Sequence, residues 1–317
     1  EASVRETGRT YFERNEANPL EEDLIIVDEA SMLDISLFYH LLCALKDGAR
    51  LILVGDIDQL PPVGAGEPLK DLMSWGYVPI VRLKRIFRQE EGSGIVENAA
   101  LIRKGEMCVP DEAGEFRIVY AADDEDAYRI VMDLCRELNY GNEENKMLLQ
   151  VLSPMYRGVC GVDHLNESLQ EMIHGEKVPD GMKFFPGDKV MQTRNDYEKG
   201  IYNGDVGTVW TATPQKVFVH YFDKEVVYEG EERFDLRLAY AVTVHKSQGS
   251  EYETVIFILR PSQHNMLQRN LLYTGVTRAR KNTILVTAPD ALRRALAIQH
   301  TGNRYSLFLP FLNHEAL

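Results

Sequence analysis

The sequence lacks long apolar runs, paired cysteines and a Gly-Lys dipeptide, and each absence excludes a class of protein. No apolar stretch reaches the ~18 residues of a membrane-spanning helix, so no membrane segment is expected. The four cysteines form no Cys-x-x-Cys pair, which argues against zinc and favours a reducing cytoplasm. Because no glycine directly precedes a lysine, the phosphate-binding loop G-x-x-x-x-G-K-[ST] is absent from these 317 residues.

The charge of the chain is unevenly distributed. As a sum, the net charge of −14 argues against a polyanionic partner. Residues 260–294, however, contain seven basic side chains and one acidic side chain, so one face could still be basic. The length of 317 residues predicts about two domains.

Short apolar runs alternate with helical patterns, which indicates an α/β architecture. One helical pattern begins near Asp123 and repeats apolar residues at helical spacing as far as Leu138. Residues 182–237 differ, since they are rich in β-prone residues and contain an Asn-Gly turn at 203–204. They predict a small antiparallel barrel inserted into an α/β domain. The runs predicted to be strands covered on both faces are Leu24–Val27, Leu51–Val54, Leu148–Leu152, Val255–Leu259 and Ile284–Val286.

The run LIIVDEASML, at residues 24–33, ends a predicted strand in two adjacent carboxylates. Ligands of open α/β sheets bind at the carboxyl ends of strands. At that position Asp28 could hold Mg²⁺ and Glu29 could polarise a water for attack on a γ-phosphate. Acidic residues or Ser31 capping a helix N-terminus would give the same pattern, so this motif alone leaves both interpretations open.

A second predicted strand leads into GDIDQLPPVGAG, at residues 55–66. Its Pro-Pro turn could brace Gln59 so that the side chain hydrogen-bonds a γ-phosphate. Proline and glycine also suit an ordinary strand-to-helix loop. A strand ending in Asp-Glu, followed by a strand ending in Gly-Asp-x-x-Gln, favours nucleotide binding over that alternative.

Four later segments carry side chains that could contact phosphate or bases. They are VRLKRIFRQ with Arg88, SPMYRG with Tyr156, YAVTVHKSQGSEY with Thr243 and His245, and YTGVTRARK with Arg278. Arginine offers a forked and always charged donor for phosphate, and tyrosine can stack on a base. An arginine supplied from a second domain can neutralise charge on a transferring phosphoryl group. Taken singly, VRLKRIFRQ is better explained as a surface basic cluster, and SPMYRG is explained equally well as a loop after a strand. For YTGVTRARK the alternative is a basic helix C-terminus stabilised by the helix dipole.

Together and in this order, the segments resemble superfamily 1 DNA helicases of the RecD/TraA type. VDEASM resembles motif II of that family, GDIDQLPPVGAG motif III, LKRIFRQ motif IV, YAVTVHKSQGSEY motif V and YTGVTRARK motif VI. The resemblance implies an α/β fold of two RecA-like P-loop NTPase domains, the first truncated, with a small SH3-like β-barrel inserted in the second. The implied boundaries are 1–80, 81–317 and, for the barrel, 182–237.

The resemblance also implies roles for individual residues, with ATP and Mg²⁺ as cofactors. The implied catalytic residues are Asp28, which would hold Mg²⁺, Glu29, Gln59 and Arg278. The implied nucleotide contacts are Arg88, Gly249 and Glu251. The residues implied to face single-stranded DNA are Tyr156, Thr243 and His245.

The function implied by the resemblance is that of a cytoplasmic, ATP-dependent 5′→3′ DNA helicase of recombination or repair. Single-stranded DNA, and other helicase or nuclease subunits, would be its partners. Because the family's phosphate-binding loop is missing, the chain is expected to be the C-terminal portion of a larger helicase and inactive as an ATPase by itself. Two other hypotheses stay open: a non-catalytic single-strand-binding or scaffold module, and a phosphate-loop ATPase that does not unwind DNA.

Overall fold

The computed structural model describes residues 2–4, 10–83, 92–299 and 308–313. These residues fall into two compact units. The first unit contains the described residues up to 83 together with 308–313, and the second contains residues 92–299. None of the described helices is both long and apolar enough to cross a membrane.

The first unit contains two small sheets and three helices. One sheet is an antiparallel pair and the other a parallel pair. Its strands are β1 (Ala2–Val4), β2 (Thr10–Phe12), β3 (Leu24–Val27) and β4 (Arg50–Leu53). Its helices are α1 (Ile35–Cys43), α2 (Pro68–Trp75) and α9 (Phe308–Leu312).

The parallel pairing of β3 with β4 is confirmed, but the expectation that both faces of these strands are covered is wrong. Leu24 and Ile26 are 48% and 60% exposed, and Ile52 and Val54 are 46% and 43% exposed. Alternate residues of the two strands are half-buried. Within the described residues, therefore, only one face of this sheet is packed. An apolar run cannot reveal which of its two faces has a neighbour, since side chains of a strand alternate between faces.

Helix α9 lies with the first unit. It packs against α2, and the Phe308 ring lies 5.8 Å from the Phe38 ring of α1 in an edge-to-face arrangement. The expected division placed every residue after 80 in the second domain. The structure differs at this helix because its aromatic side chain packs against the first unit.

A fully parallel five-stranded sheet forms the centre of the second unit, in the order β12-β6-β13-β14-β5. Its strands are β5 (Phe116–Tyr120), β6 (Leu149–Ser153), β12 (Ala241–Thr243), β13 (Tyr252–Leu259) and β14 (Ala279–Thr287). The predicted buried strands at 148–152, 255–259 and 284–286 are confirmed, except that Leu148 is exposed and lies just before β6. The helices of this unit are α3 (Gly94–Lys104), α4 (Asp124–Glu137), α5 (Glu143–Leu148), α6 (Val162–His174), α7 (Arg269–Val276) and α8 (Pro289–Ala297).

Helix α4 confirms the helical pattern predicted from Asp123. The Asp123 side chain caps the helix by accepting a hydrogen bond from the Asp126 amide. Ala127, Val131 and Cys135 are fully buried on one face, as the spacing predicts. The helix therefore covers the parallel sheet and contributes to the core of the second unit.

The predicted inserted barrel is an antiparallel five-stranded sheet in the order β10-β9-β8-β7-β11. Its strands are β7 (Lys189–Gln192), β8 (Val206–Ala212), β9 (Lys216–His220), β10 (Glu225–Glu229) and β11 (Leu236–Leu238). The Asn-Gly turn does not join two strands directly, as a two-residue hairpin would. It lies at the end of the loop 193–205, which contains its own bridge between Asp196 and Ile201.

Two buried residues connect the barrel to the parallel sheet: Asp188, just before β7, and Lys189, the first residue of β7. Asp188 accepts a hydrogen bond from Tyr240 Oη at 2.9 Å and is bonded to His174 Nε2 at 2.8 Å.

Lys189 donates to Leu149 O at 3.2 Å and to Gln150 Oε1 at 2.9 Å. Burial, with a smaller contribution from nearby Lys146, lowers the pKa of Lys189 to about 7. A neutral amine has two N–H donors, and the two acceptors match them.

Lys189→Met should remove a pH dependence of stability. In the unfolded chain the lysine regains its ordinary pKa of 10.5, so the unfolded state binds the proton more tightly. The free energy of unfolding should therefore rise between pH 7 and 10.5, by up to ~1.4 kcal/mol per pH unit from this group. Chemical denaturation of wild type and variant from pH 7 to pH 9 measures the difference. The exposed barrel residue Lys216 is the control, since Lys216→Met should leave the slope intact; an unchanged slope in Lys189→Met would contradict the prediction.

Candidate nucleotide and nucleic-acid sites

The two motifs of the first unit begin on adjacent backbone. Strands β3 and β4 end side by side, with Val27 paired to Leu53. One residue further on, Val54 N donates to Val27 O and Ala30 N donates to Val54 O, both at 2.8 Å. The segment that carries Asp28 and Glu29 and the segment that carries Gln59 therefore leave the same edge of the sheet, where α/β folds bind ligands.

Glu29 has an unusual backbone conformation. Its φ of 50° and ψ of 38° lie in the left-handed region, which non-glycine residues seldom adopt. Its amide donates to Asp28 Oδ1 at 2.8 Å. Such conformations cost about 1–3 kcal/mol and concentrate at functional sites. The strain fixes the direction in which the Glu29 side chain leaves the strand end.

The loop with Gln59 is organised by Asp56. The Asp56 side chain accepts from Asp58 N at 3.0 Å, and the Asp56 carbonyl accepts from Gln59 N at 3.2 Å. Pro62 is buried and anchors the end of this turn. Gly55 is required at its start, because a Cβ there would lie 2.8 Å from Ser31 N. The bracing of Gln59 by the two prolines and the role of Gln59 itself stay predictions.

In the second unit, the predicted DNA-contact residue Thr243 ends β12, and His245 lies half-buried in the turn that follows. Thr243 is buried, and its Oγ1 accepts a hydrogen bond from Lys246 N at 3.2 Å. Burial lowers the pKa of His245, so this imidazole is neutral at pH 7. Both residues therefore shape the turn, and neither adds positive charge to it. Gly249 follows with a φ of +76°, a conformation that favours glycine.

The predicted finger Arg278 is 2% exposed. Its Nε donates to Thr274 O at 3.1 Å, and one terminal nitrogen donates to Ser250 O at 3.2 Å. Nearby, the exposed Arg280 pairs with Glu251 at 2.7 Å. Both arginines thus tie the segment resembling motif VI to the segment resembling motif V. Arg88, the other predicted phosphate contact, lies outside the described residues.

A basic and aromatic cluster surrounds Tyr156, and sequence reasoning missed most of it. The Arg237 guanidinium lies 5.8 Å from the centre of the half-exposed Tyr156 ring and pairs with Asp163 at 3.7 Å. Lys246 Nζ donates to Asn203 Oδ1 at 2.5 Å. Burial and, secondarily, Arg237 lower the pKa of Lys246. We call Tyr156, Arg237, Lys246 and Asn203 the basic–aromatic face.

The described residues contain no group of three or more His, Cys, Asp or Glu side chains that could hold a metal ion. Asp28 is an exposed carboxylate with one oxygen engaged by Glu29 N. Mg²⁺ is commonly held by only one or two carboxylates together with substrate phosphates and waters. Asp28 therefore fits one position in such a site and does not form a metal site alone.

Comparison with known proteins places these features in a family. Family models match an AAA domain at residues 5–117, an ATP-dependent RecD-like DNA helicase SH3 domain at 165–221 and a UvrD-like helicase C-terminal domain at 238–286. The chain is 37% identical over 304 residues to the ATP-dependent RecD2 DNA helicase of Deinococcus radiodurans, with 95% of the chain covered. The chain belongs to the RecD-type helicase family.

Other RecD-type relatives support the same family. The RecBCD enzyme subunit RecD of Mycolicibacterium smegmatis is 33% identical over 316 residues, with 93% of the chain covered. The alignments cover 41% of the D. radiodurans protein and 56% of the M. smegmatis protein. The chain thus spans about half the length of the curated relatives it matches.

Solved helicase structures share the fold of this RecD-type chain. Pif1 helicase from Bacteroides in complex with ADP-AlF3 and ssDNA matches with a TM-score of 0.56 at 20% identity, over 98% of this chain and 80% of that chain. Pif1 helicase from Candida albicans matches with a TM-score of 0.56 at 19% identity, over 93% and 77%. The expected α/β helicase fold with an SH3-like insertion is confirmed.

Proposed function

We propose that the protein to which these 317 residues belong is an ATP-dependent DNA helicase that moves 5′→3′ on single-stranded DNA. The observation that carries the proposal is the adjacency of two loops at one edge of the β3–β4 sheet. One loop offers Asp28 and a strained Glu29, and the other offers Gln59. The D. radiodurans relative, named as ATP-dependent, supports ATP as the nucleotide, and the 5′→3′ direction is what the resemblance of the motifs implies.

In this proposal each residue has one task. Glu29 orients and polarises the attacking water, and Gln59 hydrogen-bonds the γ-phosphate. Arg278 and Arg88 supply positive charge to the phosphates, and Gly249 and Glu251 bind close to the nucleotide. Asp28 would hold Mg²⁺, which neutralises phosphate charge when bound.

The basic–aromatic face is the proposed path of single-stranded DNA. A half-exposed tyrosine next to an arginine offers stacking to a base and a charge to a phosphate. Thr243 supports this face through its hydrogen bond from Lys246 N, and His245 lies next to Lys246 in the sequence. The protein would act in the cytoplasm in recombination or repair, with other helicase or nuclease subunits as partners.

Strand displacement by the full-length protein tests this function. A duplex with a 5′ single-stranded tail should be unwound with ATP and Mg²⁺, and a duplex with a 3′ tail should not. Unwinding from the 3′ tail alone would refute the direction. DNA-stimulated ATP hydrolysis without unwinding of either substrate would identify a phosphate-loop ATPase of another kind.

The second candidate is that the 317-residue chain itself binds single strands without catalysis. The chain has a basic–aromatic face but no Gly-Lys dipeptide and hence no phosphate-binding loop. We expect the isolated chain to hydrolyse little or no ATP. Robust turnover by the purified chain would contradict this.

Arg237→Ala should weaken the binding of single-stranded DNA by the isolated chain. Removing one phosphate contact should lower the slope of log K against log salt by about 0.7. Fluorescence anisotropy with a labelled dT oligonucleotide at several salt concentrations measures both quantities. Arg233→Ala is the matched control on the barrel, because the half-buried Arg233 donates to the backbone carbonyls of Gly230 and Pro214 and is not part of the basic–aromatic face. Equal affinities for wild type and Arg237→Ala would remove this residue from the DNA path.

A further inference from the structure

The turn after Glu29 contains a buried hydroxyl group. Ser31 lies in the 3-10 turn Ala30–Met32 and is 8% exposed. Among the described residues, its Oγ has no hydrogen-bond partner. Nearly all buried polar groups in proteins are bonded, so an unbonded one calls for an explanation.

Ser31 lines a small cavity that it shares with Gln59. Three segments form the walls: the turn after β3, the loop after β4 and the start of α2. Two other polar residues at the cavity, Glu67 and Lys70, lie 3.6 Å apart and pair with each other. The remaining polar side chain that the cavity offers to Ser31 is Gln59.

Backbone hydrogen bonds hold both ends of the Gln59 loop against the turn that carries Ser31. At the start of the loop, Ala30 N donates to Val54 O, and at its end, Ile35 N donates to Ala65 O, each at 2.8 Å. At Gly55 the loop backbone touches the Ser31 amide so closely that no side chain fits. Ser31 and Gln59 therefore share a cavity whose walls are held together at both ends of the loop.

We propose that Ser31 is a positioning residue for Gln59. In the transition state of phosphoryl transfer, Gln59 turns towards the γ-phosphate and its side-chain amide hydrogen-bonds the Ser31 hydroxyl, which holds the sensor beside Glu29. A hydroxyl both donates and accepts, so it serves either orientation of the amide. This inference rests on the proposed function, because it requires a γ-phosphate at the site.

The proposal predicts opposite effects of Ser31→Ala on turnover and on stability. The variant should lower kcat about tenfold at an unchanged KM for ATP, as expected for one hydrogen bond made only in the transition state. Its melting temperature should stay equal or rise, because the variant removes a buried group that is unbonded in the resting state. A hydroxyl with a merely structural role would give the reverse result.

Steady-state ATP hydrolysis with single-stranded DNA, and thermal melting, test this in the full-length protein. Gln59→Ala and the double variant should have the same kcat, since Ser31 acts only through Gln59. Ser31→Cys keeps the volume with a weak donor and should fall between wild type and Ser31→Ala. The exposed helix residue Ser36 is the control, and Ser36→Ala should change neither quantity.

Additive losses in the double variant, or wild-type kcat in Ser31→Ala, would overturn the proposal. A lowered melting temperature with normal turnover would overturn it as well. Absence of DNA-stimulated turnover in the wild-type protein is a different result, because it would refute the proposed function first and this inference with it.

Discussion

Glu29→Gln should lower kcat for ATP hydrolysis by ~10²–10⁴-fold, the usual contribution of a general base. Glutamine has nearly the same shape but cannot accept the proton of the attacking water. The KM for ATP should change little, since Glu29 acts on water and not on the bound nucleotide. Steady-state turnover of the full-length protein with single-stranded DNA measures both constants.

A second variant at the same position separates chemistry from backbone strain. Glu29→Gly removes the carboxylate and also the left-handed strain at φ 50°, which glycine tolerates. We expect no turnover and a melting temperature at least equal to that of Glu29→Gln. Glu22→Gln is the matched control, because Glu22 is an exposed glutamate just before β3. Wild-type turnover in Glu29→Gln would exclude this residue as the base.

Arg278→Ala should lower kcat by ~10³-fold or more, the range measured for arginine fingers. In the resting structure, however, its guanidinium binds the carbonyls of Thr274 and Ser250. Its removal should therefore also destabilise the second unit, by about 3 kcal/mol for two bonds from a charged donor. A loss of activity in this variant alone would not distinguish the two effects.

Arg278→Lys distinguishes them. Lysine keeps the charge and can reach one carbonyl, but it lacks the forked geometry that suits phosphate. A folded Arg278→Lys protein with strongly reduced kcat supports the finger, whereas full activity would make Arg278 a structural residue. Arg280→Ala is the control, since it breaks only the exposed pair with Glu251, which contributes at most about 1 kcal/mol. A larger loss of kcat in Arg280→Ala than in Arg278→Lys would assign the finger to Arg280.

The positions that could be predicted best from the sequence are those of candidate site residues that follow the ends of strands. Asp28, Glu29 and Gln59 each follow a short apolar run, and parallel strands bring such positions to one edge. The inserted barrel was also predictable, because β-prone residues and turns at short intervals are a local signal. Helix α4 was predictable as well, because its apolar residues repeat at helical spacing and the helix forms where this repeat occurs.

Features that depend on distant parts of the chain were not predictable. Lys246 donates a hydrogen bond to Asn203, which lies 43 residues earlier in the sequence. Arg237, on strand β11 of the inserted barrel, lies over the ring of Tyr156. Within the sequence, Lys189 is one more lysine beside a glycine-aspartate turn, yet the fold encloses it completely. The exposed face of β3 and β4 shows the same limit, because an apolar run is identical whether one face or both faces are packed.

The enclosed Lys189 also affects how the molecule responds to salt. Burial lowers the pKa of its amine to about 7, and its bonds to Leu149 and Gln150 are shielded from solvent. Dissolved ions screen exposed charges over a distance of ~8 Å at physiological ionic strength, and they act much less on buried groups. Raising the salt concentration should therefore weaken DNA contacts at Arg237. The buried contacts between the barrel and the parallel sheet should persist. In this chain, ionic strength can separate the loss of a ligand from the loss of structure.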